Sequence, residues 1–115
     1  MDIKRLGGNG RHSAAVEYGS LLFLSALTPD TLEPDIQKQA EEVLGRIERL
    51  LTLRGLDKSS LLCATIYLRD MNDFGAFNAV WDAWVTEEAE PARTCVQAAM
   101  PVEEHLVSIQ VVAAI

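Results

Sequence analysis

The sequence predicts an α+β protein in which two amphipathic helices cover one face of a six-stranded mixed sheet. Two observations support this prediction. Apolar residues recur at intervals of three and four in two stretches, and six other stretches are short and rich in Val, Ile, Leu and Thr. Their order is strand, strand, strand, helix, strand, helix, strand, strand. Helical crossovers between strands imply that some neighbouring strands run parallel.

The first helix is predicted between Pro34 and Gly55. Its apolar residues share one stripe, formed by Ile36, Ala40, Val43, Leu44, Ile47, Leu50 and Leu51. Pro34 suits the first helical position, where a missing N–H is no loss. Gly55 suits a left-handed C-terminal cap.

The second helix is predicted from about Asp73 to Val85, with Asn72 or Asp73 capping its first turn. Four aromatic residues share one face of this helix: Phe74, Phe77, Trp81 and Trp84. Such a stripe is more often core than a ligand site, so we assign it to the core.

The six strand-like stretches are DIKRL, SAAVEY, LLFLSAL, LLCATIYLRD, ARTCVQAAM and HLVSIQVVAAI. Tyr18, Gly19 and Ser20 predict a tight hairpin between the second and third of them. In LLCATIYLRD the even-numbered positions are apolar and are assigned to the helix-covered face: Leu62, Ala64, Ile66 and Leu68.

The other face of the sheet carries small and apolar residues as well as polar ones. A sheet face left in water usually carries more charge, so we expect this face to be buried against copies of the chain. A monomer with a mildly apolar surface is the alternative.

Composition limits the function classes. The chain has 115 residues, 49% of them hydrophobic, which predicts a single domain over 1–115. A net charge of −7 without a basic run disfavours nucleic acid as a partner. The apolar segments are short and interrupted by charges, and the N-terminus lacks the apolar core of a signal peptide. We therefore expect a cytoplasmic protein without a membrane partner.

Cysteine and histidine usage predicts neither a metal site nor another cofactor. Cys63 and Cys95 are far apart and outside any CxxC spacing, which favours reduced thiols. The two histidines, His12 and His105, add no metal-ligand spacing. We expect His105 to be a surface residue.

Arg93 stands out in the stretch EPARTCVQAAM. Strand alternation places Arg93, Cys95, Gln97 and Ala99 on one face and Ala92, Thr94, Val96, Ala98 and Met100 on the other. We assign the second set to the helices, so that Arg93 projects from the face expected to contact other subunits.

A buried guanidinium needs a partner, because leaving it unpaired costs ~3–5 kcal/mol. One interpretation is an ion pair, between strands or between subunits, with Glu90, Glu103 or Glu104, which composition alone favours. The other is a fork that binds a small carboxylate in two-pronged fashion, a contact worth ~1.5–3 kcal/mol.

Four stretches of the sequence carry a family resemblance: GLDKSSLLCATIYLRD, DMNDFGAFNAVWDAWV, PARTCVQAAMP and LVSIQVVAAI. In content and order they resemble the RidA/YjgF family of reactive intermediate deaminases, whose older name is endoribonuclease L-PSP. The resemblance covers nearly the whole chain. It implies a chorismate-mutase-like fold, a homotrimer whose sheets form a central barrel, and three ligand clefts between subunits.

The resemblance also implies a substrate site. Arg93 matches the arginine that clamps the carboxylate of a 2-imino or 2-enamino acid. Cys95 matches the cysteine whose backbone lines the same pocket, and Asn78 matches the asparagine of the second helix.

Further positions match the family on other segments. Ser25 and Ala26 stand at the family's Ser-Gly turn, which offers a backbone N–H to the ligand; Ala26 keeps the N–H but narrows the approach. His12 stands where an aromatic residue caps the pocket from a neighbouring subunit.

Ser108 departs from the family. Deaminating members carry a glutamate here that positions the attacking water. Serine can hold a water but is a poor base, and general base catalysis contributes ~10²–10⁴ in rate. An imine hydrolyses readily once protonated, so binding, orientation and the charge of Arg93 can still accelerate the reaction. Glu103 and Glu104 are the candidates to replace the glutamate.

Two functions follow from these residues. The first is a deaminase that hydrolyses 2-enamino or 2-imino acids to 2-oxo acids and ammonia. The alternative is a trimeric protein that binds small 2-oxo or carboxylic acids without catalysis. Ribonuclease activity is disfavoured by the acidic charge and by the lack of an acid and base pair near a basic groove.

Overall fold

The computed structural model describes all 115 residues and contains one six-stranded sheet with two α-helices on one side of it. In chain order the elements are β1 (Ile3–Leu6), β2 (Ala15–Tyr18), β3 (Leu21–Leu24), α1 (Ile36–Leu53), β4 (Leu61–Leu68), α2 (Phe74–Trp84), β5 (Ala92–Gln97) and β6 (Val107–Ala114). The predicted order of elements is confirmed. Neither helix combines the length and apolarity needed to cross a membrane.

The strands lie in the order β1-β2-β3-β6-β4-β5. Only β4 and β5 run parallel, and their connection contains α2. The predicted hairpin joins β2 to β3, with Tyr18 opposite Leu21. Gly19 has φ 59°, the positive value that a two-residue hairpin turn requires at its first position.

Helix α1 begins two residues later than predicted. Asp35 is the N-cap, and its carboxylate accepts from the amides of Gln37 and Lys38 at 3.0 and 3.2 Å. Pro34 precedes this cap, so its assignment to the first helical position was wrong. A side-chain oxygen that satisfies two free amides determines where the helix starts.

The end of α1 is as predicted. Gly55 has φ 76°, and its amide donates to the Thr52 carbonyl at 2.9 Å. The amide of Leu56 donates to the Leu51 carbonyl at 2.8 Å. These two bonds satisfy carbonyls that the last turn leaves free. A glycine with positive φ that allows such bonds is a common C-terminal cap of helices.

Helix α2 follows a 3₁₀ turn over Met71–Asp73. Asp70 caps this turn and accepts from the amide of Asn72. Asp73 is the N-cap position of α2, as one of the two predicted alternatives has it, and the other alternative, Asn72, was wrong. Asp73 makes no capping side-chain bond, and burial, with a smaller effect of Asp70, raises its pKa.

The core lies between the helices and one face of the sheet. Phe77 and Trp81 are buried there, as predicted for the aromatic stripe. Phe74 is 36% exposed, and the half-buried Trp84 donates its indole N–H to Glu48 at 3.0 Å. The stripe therefore extends from the core to the protein surface.

The sheet has one covered and one open face. In β4 the residues Ala64, Ile66 and Leu68 are buried under the helices as predicted, but a bulge turns Leu61 inward and leaves Leu62 exposed. We call the side away from the helices the open face. It carries exposed apolar side chains on four strands: Ile3, Tyr18, Leu21, Phe23 and Val96.

Candidate functional site

Arg93 lies on the helix-covered face of β5, opposite to the prediction. In the parallel β4–β5 pair, Ala64 is the partner of Arg93 and Ile66 is the partner of Cys95. Paired residues of neighbouring strands share a face, and Ala64 and Ile66 are buried under the helices. The set of Ala92, Thr94 and Val96, assigned to the helices from the sequence, is exposed.

The side chain of Arg93 is held by α2. Its Nη1 donates to the Oδ1 of Asn78 at 2.8 Å. The guanidinium carbon lies 5.4 Å from the centre of the Trp81 ring and 5.8 Å from that of Phe74, within the range of cation–π attraction. Three side chains of one helix thus fix the direction of the guanidinium.

No carboxylate of the chain neutralises Arg93, which takes part in none of the five ion pairs. Glu90 accepts from the amide of Glu88, and Glu103 pairs with Arg69 at 3.7 Å. Glu104 is exposed and offers its backbone carbonyl to Gln39. The interpretation of Arg93 as the partner of Glu90, Glu103 or Glu104 is therefore wrong within one chain, and a pair between subunits stays a prediction.

Cys95 lies next to Arg93 on the same face and is half-buried. Burial raises the pKa of its thiol, and the positive charge of Arg93 opposes that shift. Cys63 is also a free thiol but lies on the open face, opposite Val112. The two sulfurs are therefore on different sides of the sheet.

Ser25 and Ala26 follow β3 at the edge of its pairing with β6. The amide of Ser25 donates to the Ala14 carbonyl at 2.9 Å, and its hydroxyl donates to the Ser13 carbonyl at 2.7 Å. The amide of Ala26 donates to no acceptor in the chain, and the residue is exposed. The Ala26 N–H is therefore the backbone donor of this turn that has no acceptor within the chain.

His12 lies in the exposed loop between β1 and β2. Its amide donates to the Oδ1 of Asn9 at 3.0 Å, and its carbonyl accepts from the Asn9 amide at 3.1 Å. It lines a recess of about 480 Å³ together with Arg5 and Ser13. Since Ser13 also receives the Ser25 hydroxyl, this loop is tied to the Ser25 turn.

Ser108 lies on the open face of β6, directly opposite Tyr67 of β4. Its neighbour Ile109 exchanges backbone hydrogen bonds with Leu27 at 2.9 and 3.0 Å. This bridge brings Ser108 next to the segment that contains Ala26. Further along β6, Gln110 donates to the Leu24 carbonyl at 3.0 Å and supports the irregular end of β3.

The predicted residues therefore form two groups. We call Arg93, Asn78 and Cys95 the arginine half-site, and Ala26, Ser25, His12 and Ser108 the serine half-site. Ser25 and Ala26 follow β3, three strand spacings from β5, and Ser108 lies in β6, two spacings from β5; these separations are about 14 and about 10 Å at ~4.8 Å per spacing. The two half-sites also face opposite sides of the sheet, so one chain does not bring them together around a small ligand.

Sequence reasoning assigned no site role to the aromatic residues around Arg93. Phe74 and Trp81 were assigned to the core, and their helical spacing could have indicated a contact only once the face of Arg93 was known. Gln97 was also missed; its Oε1 accepts from the Met71 amide at 2.9 Å and ties the 3₁₀ turn before α2 to β5. No cluster of His, Cys, Asp or Glu side chains is arranged to hold a metal ion.

Comparison with known proteins identifies the family. The sequence model described as endoribonuclease L-PSP matches residues 2–115. The chain is 38% identical to the RutC family protein YoaB of Escherichia coli K12 over the full length of both proteins. It is 34% identical to a RutC family protein of Haemophilus influenzae over 98% of each chain.

Solved structures give the same result. NMB1025 of Neisseria meningitidis, a member of the YjgF protein family, is 42% identical and superposes with a TM-score of 0.93 over 99% of this chain and 95% of that one. The fold is that of an α+β protein with two helices on a mixed sheet, and the chain belongs to the RidA/YjgF family, also called endoribonuclease L-PSP. The names of these relatives give a family and not a reaction.

Proposed function

We propose that this protein, as a single RidA/YjgF-type domain over 1–115, hydrolyses 2-imino acids and their enamine tautomers to 2-oxo acids and ammonia. The observation that carries the proposal is the state of Arg93. Its guanidinium is oriented by a neutral amide and two aromatic rings, and the chain supplies no carboxylate for it. A small anionic carboxylate from outside the chain fits this partly unsatisfied fork.

The chemistry needs few groups beyond the substrate and water. With its carboxylate on Arg93, the substrate presents the imine carbon to a water molecule. The water oxygen bonds to this carbon while the imine nitrogen gains a proton, and collapse of the resulting carbinolamine expels ammonia and leaves the 2-oxo acid. Holding the reactants in place is the protein's main contribution to such a reaction.

The proposed assembly is a homotrimer with its ligand clefts between subunits. A second copy is needed to bring a serine half-site to an arginine half-site, because the two lie apart in one chain. The exposed apolar residues of the open face support burial against other copies. In this assembly the Ala26 N–H and the loop of His12 would complete the cleft around Arg93.

Binding without catalysis is the second candidate, and Ser108 favours it. A hydroxyl in place of the family's glutamate weakens base catalysis but leaves the carboxylate fork intact. The same Arg93 would then capture 2-oxo acids such as 2-oxobutyrate. Ribonuclease activity, which the family's older name describes, is not proposed for this chain because its net charge of −7 disfavours binding to a polyanion.

The deciding experiment measures ammonia release from freshly generated imino acids by the wild type, Arg93→Ala and Ser108→Glu. Activity of the wild type that Arg93→Ala abolishes supports the deaminase. Activity of Ser108→Glu alone supports the binder, and isothermal titration with 2-oxobutyrate then has to show binding that depends on Arg93. Failure of both measurements would overturn both functions.

A further inference from the structure

Two hydroxyl-bearing residues face each other across β4 and β6 on the open face. Tyr67 and Ser108 are register partners, and their strand neighbours Ile66 and Ile109 are buried on the opposite side of the sheet. Directly opposed residues on one face have Cβ atoms about 4.5–5.5 Å apart. The phenol stands further from the sheet than the serine hydroxyl, because a ring separates it from its Cβ.

Neither hydroxyl is used inside the chain. No side-chain hydrogen bond joins Tyr67 or Ser108 to another residue or to each other, whereas nearby Gln110 bonds to the carbonyls of Leu24 and Val111. No buried side-chain oxygen of the chain lacks a partner. Ser108 is only 7% exposed, so that small exposed part includes its hydroxyl.

We propose that Tyr67 and Ser108 together hold the attacking water of the imine hydrolysis. This inference rests on the proposed function and deepens it by naming Tyr67. Each hydroxyl can donate and accept a hydrogen bond, so a water that bridges the two oxygens can bond to both. The bound water keeps a lone pair for the imine carbon. The proton that it loses goes to the imine nitrogen, so neither side chain has to act as a strong base.

The carboxylates at this end of the sheet are poorly placed for the same task. Glu103 has an 86% exposed side chain and pairs with Arg69, and Glu104 is exposed. Both precede β6, whereas Ser108 lies within it. The bridge between Leu27 and Ile109 places Ser108 beside the segment of the free Ala26 amide, so the water site adjoins a donor for the substrate.

The test compares Tyr67→Phe, Ser108→Ala and the double variant with the wild type. Tyr18→Phe is the control, since Tyr18 is the other tyrosine of the chain and lies on the same open face, in β2. We expect Tyr67→Phe and Ser108→Ala each to lower kcat for ammonia release about tenfold, as the loss of one hydrogen bond to the water implies. KM, the melting temperature and the affinity for 2-oxobutyrate should stay unchanged, because the carboxylate still binds Arg93. The fold-decrease in kcat of the double variant should be smaller than the product of the two single fold-decreases, since both residues act on one water.

The outcomes separate this inference from the proposed function. A wild type that releases no ammonia overturns both. If the wild type is active, Arg93→Ala is inactive and Tyr67→Phe keeps the wild-type kcat, the function stands and the role of Tyr67 is wrong. The role of Tyr67 is also overturned if Tyr67→Phe and Tyr18→Phe lower kcat equally, or if the fall in kcat is accompanied by a fall in melting temperature. Such effects follow from changes in packing.

Discussion

Arg93 donates to the amide oxygen of Asn78 at 2.8 Å, and this neutral contact orients the guanidinium without cancelling its charge. The Trp81 ring, 5.4 Å from the guanidinium carbon, adds a cation–π attraction, which also leaves the positive charge of Arg93 unneutralised. A carboxylate in the place of Asn78 would have neutralised the cation. The arrangement therefore leaves Arg93 attractive to an anion from outside the chain.

Asn78→Asp should convert the arginine half-site into an internal ion pair. The new carboxylate has nearly the shape of the amide and lies within hydrogen-bond distance of Arg93. Since a hydrogen bond to a charged group is worth ~1.5–3 kcal/mol, we expect at least about tenfold weaker binding of 2-oxobutyrate. Isothermal titration measures the affinity, and the melting temperature should not fall.

Asn72→Asp is the control for this prediction, because Asn72 is exposed in the turn before α2 and carries the same change in charge. Its affinity for 2-oxobutyrate should equal that of the wild type. Wild-type affinity in Asn78→Asp would contradict the assignment of the ligand carboxylate to Arg93.

Cys95 should be slow to alkylate at neutral pH. Burial raises the pKa of its thiol above the ordinary 9.0, and the thiolate is the reactive form. In a Cys63→Ser background, iodoacetamide labelling followed by mass spectrometry should accelerate only in alkaline solution. Arg93→Ala should slow the labelling further, because the guanidinium lowers the thiol pKa, whereas Arg69→Ala should not. Rapid labelling at pH 7 would contradict the raised pKa of the Cys95 thiol.

The elements of the fold could be predicted from the sequence. Which of the two alternating residue sets of β5 faces the helices could not. Each of the two alternating sets of this strand mixes apolar with polar residues. Ala92 and Val96 are the apolar members of one set, and Cys95 is the apolar member of the other. β5 is an edge strand, and its register with β4 decides which set is covered. The prediction for Arg93 failed for that reason. The bulge that turned Leu61 inward likewise depends on pairing between strands.

The candidate site was predictable in its residue types and not in its contacts. Family resemblance placed Arg93 and Asn78 in one site, and the structure brings them together. The aromatic contacts of Arg93 required knowledge of its face. The pair of Tyr67 and Ser108 required the register of β4 against β6, which residues distant in sequence determine.

The ion pair of Glu17 and Arg54 makes stability depend on pH. Glu17 is buried on the helix side of β2 and accepts from Nε and Nη2 of Arg54 at 2.8 and 2.9 Å. These hydrogen bonds lower the pKa of Glu17 below its ordinary value of 4.5. A carboxyl whose pKa is lower in the folded state stabilises the fold above the unfolded pKa and loses this effect as the pH falls through the folded pKa.

Glu17→Gln should therefore lower the denaturant midpoint at pH 7, and the difference from the wild type should shrink as the pH falls below about 4.5. Urea titrations between pH 3 and pH 7 measure this difference. Glu87→Gln, at an exposed position outside the helices and strands, should follow the wild type at every pH. A difference for Glu17→Gln that is the same at pH 3 and pH 7 would contradict the contribution of the ionised carboxylate.

Phe23 should control assembly. Its side chain is on the open face and 37% exposed, and a charge there would have to be buried if copies pack on this face. Phe23→Glu should give a monomer by size exclusion with light scattering. Leu53→Glu, at a residue 84% exposed at the end of α1 on the other side of the sheet, should keep the wild-type mass.

The same pair of variants tests whether the site requires two copies. Because the arginine and serine half-sites lie on different sides of the sheet and two to three strand spacings apart, about 10–14 Å, the Phe23→Glu monomer should lose imine hydrolysis. Its fold should remain, as circular dichroism can check, so that the loss is assigned to assembly. A trimeric Phe23→Glu would show that the open face is not the interface. A fully active monomer would show that Arg93 does not need a serine half-site from another subunit.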